Sequence, residues 1–193
     1  MPSGELTALQ KRTLGYLGFK GDPDETQLSM VRDAVSLAKR LSRPQFVFRY
    51  ICLKSDREGH ILCDAPLDIS YPSLQKLLAS KGSDSLCIFV STLGPAIDKR
   101  ISDLAATDSS GMILLDSAAN ALIEEETNAF QSRLALPGET FRYAPGYGDV
   151  PLSMQKDIFD LMPEIGRIGI TLDGSYMMHP LKYMTGLIGF KAG

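Results

Sequence analysis

The densest collection of chemically capable residues is the segment Phe141-Arg142-Tyr143-Ala144-Pro145-Gly146-Tyr147-Gly148-Asp149-Val150-Pro151. Its prolines fix φ, while its glycines open backbone geometries closed to other residues and let a ligand approach the main chain. Arg142 can clamp a carboxylate through two parallel hydrogen bonds, and Tyr147 offers a flat apolar face with a hydroxyl tip. On residue types alone two readings stand: a ligand-binding loop, or an ordinary turn with a solvated arginine and tyrosines packed on the core.

A second concentration is the run Glu124-Glu125-Glu126. At about 100° per residue the three carboxylates spread over about 200° of a helix, so a helix buried on one face cannot easily leave all of them in water. Periodicity selects Glu125, which falls in the stripe Leu114, Ala118, Ala121, Leu122 and Ala129. A solvated acidic flank is the competing reading.

Other chemistries find little support. His179 is one of two histidines and has no paired nucleophile, so it reads as structural beside Pro180. No Gly-x-Ser-x-Gly elbow and no Gly-x-Gly-x-x-Gly after a strand is present, which removes hydrolase and dinucleotide-binding readings. Cys52, Cys63 and Cys87 are odd in number and far apart, unlike a disulfide framework or a structural zinc site. A net charge of −3 with scattered lysines and arginines gives no field for a phosphate backbone, so no nucleic-acid partner is expected. Met1 to Arg12 lacks a basic region followed by an apolar run, and no stretch reaches the roughly 20 apolar residues of a membrane span. A cytoplasmic protein that does not engage membranes is expected.

The elements that position these residues can be read from periodicity. A helix runs from an Asp24 cap to Ser42 through Leu28, Val31, Val35, Ala38 and Leu41. A shorter one, Glu5 to Leu17, precedes it and is closed by Gly18 and Gly21. Gln45 to Cys52 and Ile61 to Cys63 read as a hairpin across the Asp56 to Gly59 turn. Ser73 to Lys81 reads as helix, Leu86 to Ser91 as a buried strand, and Ile97, Ile101 and Leu104 mark a helix after Gly94-Pro95. A long helix from Met112 to Leu134 carries the glutamates. Ser153 to Met162 reads as a short helix ended by Pro163, Ile168 to Leu172 as a strand reaching an Asp173-Gly174 turn, and Lys182 to Phe190 as a closing strand. At 193 residues, 44% of them hydrophobic, these make a single domain of α+β class with a largely antiparallel sheet and flanking helices.

Arg-x-Ala-Pro-Gly-Tyr, then a Pro, a short helix, a strand and a late His-Pro before a closing strand, resembles the C-terminal half of the activation (reactivation) domain of cobalamin-dependent methionine synthase. The resemblance is clearest from Met112 to Phe190. It implies an S-adenosylmethionine site lined by Arg142, Ala144, Gly146 and Tyr147, with Arg142 on the ligand carboxylate. It aligns Ala121-Leu122-Ile123-Glu124 with the family's helix, making Glu124 rather than Glu125 the ligand contact. It also places Tyr183 near, though out of register with, an aromatic that lies against the ligand. No catalytic base and no metal ligand are implied.

The family's chemistry is repair. An electron and a methyl group from S-adenosylmethionine return oxidised cob(II)alamin to methylcobalamin. This chain has neither an Asp-x-His-x-x-Gly cobalamin motif nor a zinc-cysteine module, so the resemblance implies action in trans. The partner would be a cobalamin-dependent methionine synthase or corrinoid protein lacking its own activation domain, and the electron donor a flavodoxin-like or iron–sulfur protein. Two departures stand against full equivalence. Asn120 occupies a position where larger members carry Asp, and the acidic residue their N-terminal region supplies has no match. These departures favour two alternatives, a cap or scaffold on a corrinoid protein and a small-molecule sensor.

Overall fold

In a computed structural model, which describes residues 6–192, β3 (Ser85–Thr92) is the centre of the molecule, and every one of its residues is buried. The unbroken apolar run Leu86 to Val90, short and rich in β-branched and aromatic residues, fits a strand covered on both faces. It pairs antiparallel with β1 (Gln45–Ser55) on one side and with β6 (Tyr183–Phe190) on the other. A short β2 (Ile61–Cys63) extends the edge, giving a four-stranded sheet in the order β2-β1-β3-β6. The α+β class with an antiparallel sheet is thus as the sequence implies.

The helices divide between the two faces. α3 (Pro72–Ser80), α6 (Met154–Leu161) and a 3-10 turn (Pro163–Ile168) cover one, where Leu74, Leu78, Ile88, Met154, Ile158 and Leu187 form a core. The 26-residue α5 (Ser109–Leu134) crosses the other face. Its C-terminal half lies on the sheet, with Phe130 stacked on Phe46 at 4.5 Å between ring centroids. Such a pair contributes about 0.5–1.5 kcal/mol beyond the area it buries. Its N-terminal half runs on into a bundle with α1 (Ala8–Tyr16), α2 (Glu25–Leu41) and α4 (Pro95–Ala105), through Leu9, Val31, Val35, Ile97, Leu115 and Leu122.

Local chemistry sets most boundaries. Asp24 with Gln27 and Thr7 with Gln10 form capping boxes at α2 and α1, each pair satisfying two orphan donors of a first turn. The expected start of α1 at Glu5 lies outside the described residues. The strand expected from Ile168 to Leu172 is shorter than the sequence implies. Pro163 opens the 3-10 turn, Gly169 ends it at φ 76°, and only β4 (Thr171–Leu172) remains extended. β4 pairs with β5 (Met178–His179) in a separate hairpin around Asp173. No helix among the described residues is long and apolar enough to cross a membrane.

Candidate functional site

The loop after α5 is built from both of its ends. At its entry, Tyr143 N–H and C=O exchange hydrogen bonds with Leu187 at 2.9 and 2.8 Å, and Thr140 N–H donates to Gly189 C=O at 2.8 Å. Residues 140–143 therefore act as a fragment of edge strand on β6. The strand alternation sends Arg142 to the α5 face and Tyr143 to the α3 face. Beyond it, Tyr147 N–H donates to Ala144 C=O at 3.2 Å, with Pro145 and Gly146 between them and Gly146 at φ 90°. This is the geometry of a type II turn, where proline fits the first corner and glycine the second. Gly146 N–H to Val150 C=O and Val150 N–H to Tyr147 C=O close the ring at 2.9 and 3.0 Å.

The far end is pinned to α3. Tyr71 occupies the N-cap of that helix and makes no side-chain cap. Asp149 takes over that role from the loop: its carboxylate accepts from Ser73 N–H at 3.1 Å and from the Ser73 hydroxyl. These bonds, the hydroxyl's first, hold the Asp149 carboxyl below its usual range. Ser73 Oγ lies 2.6 Å from Tyr143 Oη, whose one proton is shared between Ser73 Oγ and Tyr147 C=O, the latter at 3.1 Å. Gly148 passes so close that a Cβ there would lie 2.4 Å from Tyr143 Oη.

Between this loop, α5 and β6 lies a cleft of about 590 Å3, bordered by Glu124, Asn128, Gln131, Arg142, Ala144, Tyr147, Met184 and Thr185, and further out by Lys81, Glu139, Thr140 and Phe141. Arg142 is its organising residue. Nη1 donates to Asn128 Oδ1 at 3.1 Å and to Gln131 Oε1 at 3.0 Å. Nε and Nη2 have no hydrogen-bond partner among the described residues, so one edge of the guanidinium is left for an anion. The stem of Arg142 lies over Gly186 of β6, where a Cβ would sit 2.8 Å from Arg142 Cγ and 2.3 Å from the Phe89 ring. Partial burial lowers the Arg142 pKa from its ordinary value.

The opposite border of the cleft belongs to Glu124. Oε1 accepts a 2.6 Å hydrogen bond from Tyr16 Oη, and Oε2 lies 3.5 Å from Arg12 Nη1. Burial, followed by this bond to Glu124, pushes the Tyr16 pKa up to about 12. Arg12, Gly15, Tyr16 and Glu124 also line a recess of about 320 Å3. Glu125 and Glu126 make no hydrogen bond or ion pair among the described residues.

Four of the six residues singled out in the sequence therefore meet at one cleft: Glu124, Arg142, Ala144 and Tyr147. Gly146 does not line it and serves instead to shape the turn. Tyr183 is not brought to it. β6 alternates so that Met184 faces the cleft, while Tyr183 packs in the opposite core, its hydroxyl accepting from Gln155 Nε2 at 3.2 Å. Arg12, Tyr16, Asn128, Gln131 and Gly186 went unread. Asn128 and Gln131 follow Glu124 at steps of four and three, a polar stripe that could have been found on the helix.

Other polar clusters lie elsewhere. Asn120 donates to Asp116 at 3.0 Å and accepts from the buried Lys182 at 2.9 Å. Lys182 Nζ is 2.6 Å from Asp116, so this network ties β6 to α5. His179 Nε2 sits 2.9 Å from Asp173 Oδ2 within the β4–β5 hairpin and borders no part of the cleft. Asp56, Glu58 and His60 could approach a metal ion together in the exposed β1–β2 turn. Asp56 already accepts from the Glu58 and His60 N–H groups there.

Comparison with known proteins agrees with this geometry at the level of the fold. No family model matches the chain, and no curated protein matches it in sequence. Among solved structures, the MetH reactivation domain bound to AdoHcy superposes with a TM-score of 0.64 over 94% of this chain and 75% of that chain, at 15% identity. The chain thus has the fold of a methionine synthase reactivation domain, the resemblance its sequence carries.

Proposed function

We propose that the protein binds S-adenosylmethionine in the Arg142 cleft and supports, in trans, the reductive methylation of cob(II)alamin held by a separate cytoplasmic methionine synthase or corrinoid protein. The observation that carries this reading is the half-satisfied guanidinium of Arg142, presented to a cleft of ligand size in a fold whose solved neighbour holds AdoHcy. Arg142 would take the ligand carboxylate, Tyr147 and Met184 would offer apolar contact, and the main chain near Ala144 would approach the rest. The ligand supplies an electrophilic methyl group, and an electron-donor protein supplies the electron that makes the partner's cobalt nucleophilic. The chain's own contribution is positioning, which needs no general base.

Calorimetric titration of the full chain with S-adenosylmethionine tests the binding step. For the reaction, the chain, S-adenosylmethionine and a strong reductant are added to a cob(II)alamin-bearing methionine synthase without its activation domain. The expected result is the absorbance of methylcobalamin, abolished by Gly146→Val because a β-branched residue is strained at a positive φ. Complex formation with no methylcobalamin under any reductant would instead support the cap or scaffold reading. Ligand binding without complex formation would support a sensor, a reading favoured by the engaged state of Glu124 and by Asn120.

A further inference from the structure

We propose that Arg12 sets the charge preference of the cleft, so that it takes the neutral thioether S-adenosylhomocysteine at least as tightly as the sulfonium S-adenosylmethionine. The inference rests on the reading of the cleft as a site for adenosyl-sulfur ligands. The two ligands share adenosine, amine and carboxylate and differ by one methyl group and one positive charge. Their relative affinity therefore reports the potential the protein sets up around the sulfur.

That potential carries no spare negative charge. Glu124 and Glu139 are the carboxylates bordering the cleft, against the cations Lys81 and Arg142. Arg12, across the recess that Glu124 shares with the cleft, makes the balance three cations to two carboxylates. Glu124 is moreover engaged at both oxygens, by Tyr16 Oη at 2.6 Å and Arg12 Nη1 at 3.5 Å. A sulfonium entering here finds an arginine and a hydroxyl on the N-terminal side of Glu124, and its extra charge goes uncompensated.

The test is calorimetric titration of the full chain with both ligands, reading the ratio of their dissociation constants. The ratio is insensitive to partial misfolding because both ligands sample the same active fraction. The expected wild-type result is a thioether constant equal to or below that of the sulfonium. Arg12→Ala should shift the ratio toward the sulfonium by about three- to tenfold, as for removal of one partly exposed unit charge near the ligand. Arg12→Lys should keep the wild-type ratio. A wild-type chain that binds the sulfonium more tightly than the thioether overturns the proposal while leaving the site reading intact, and an unshifted ratio in Arg12→Ala removes Arg12 as the determinant. If neither ligand binds, the site reading itself fails and the proposal falls with it.

Discussion

The two borders of the cleft are held by different means. On the loop side, Arg142 stands on a backbone ladder to β6, its stem over Gly186, and the turn behind it is closed by main-chain bonds and tied to α3 by Asp149. On the α1 side, Glu124 is held, among the described residues, by the tips of two long side chains, Arg12 and Tyr16, from a nine-residue helix. A backbone ladder has no rotamers to lose, whereas an exposed ion pair spends side-chain entropy for an attraction that water screens. The loop side is therefore suited to fixed recognition, and the α1 side to tuning it.

The strongest way to break that contrast is to disturb the platform beneath Arg142. Gly186→Ala places a methyl group into the Phe89 ring and the Arg142 stem. Overpacking of this kind typically costs about 1–3 kcal/mol of stability, and here it should also displace Arg142 and weaken the ligand. Denaturant titration and calorimetry on the same variant check both effects; wild-type affinity in a destabilised protein would show that Arg142 does not depend on Gly186. Next in size, Arg142→Ala should weaken S-adenosylmethionine by about 1.5–3 kcal/mol, the range for a hydrogen bond to a charged group. An unchanged dissociation constant removes Arg142 from the site.

The same contrast explains what could be read from the sequence. The loop's shape was legible because its turn is written locally in Pro145-Gly146, whereas the edge-strand fragment of residues 140–143 was not read from the sequence, since its pairing with β6 is long-range. Asp24 and Gln27, Pro95 and the apolar run of β3 likewise announce their elements. On the α1 border Glu124 was legible through its place in Ala121-Leu122-Ile123-Glu124, but its partners Arg12 and Tyr16 were not, because Tyr16 lies 108 residues from Glu124 and belongs to no motif. Periodicity favoured Glu125 for a related reason. α5 is covered by the sheet along one half and by α1, α2 and α4 along the other, so its buried positions, Ser117 to Ala119 and Ala121 to Ile123 among them, do not form one stripe. Tyr183 was misplaced by the period of two in a strand, where neighbours face opposite sides.

A smaller effect is expected at the α1 border. Glu124→Gln should weaken S-adenosylmethionine by about 1 kcal/mol, near the net value of one hydrogen bond and below the loss at Arg142. Glu125→Gln and Glu126→Gln, with no partner in the site, should stay within about 0.5 kcal/mol of wild type. Calorimetry on the three variants side by side decides the assignment, and a loss confined to Glu125→Gln would restore the periodicity argument over the geometry.

The smallest effect concerns the tie between the loop and α3, and its signature is pH dependence. Hydrogen bonds from the Ser73 hydroxyl and N–H favour the ionised form of Asp149, so its folded-state pKa lies below its ordinary value. A carboxyl shifted in this direction contributes stability that is fully present above its unfolded pKa of about 3.9 and is lost as pH falls through the folded value. Asp149→Asn keeps an acceptor for Ser73 but cannot ionise. The wild-type chain should therefore melt slightly higher than the variant near neutral pH, and the gap should close as pH drops below about 4. Thermal melts of both proteins across that range give the answer: a gap that persists unchanged into acid means that Asp149 acts by shape alone, and a variant that melts higher at neutral pH means that the capping of α3 from the loop is not stabilising.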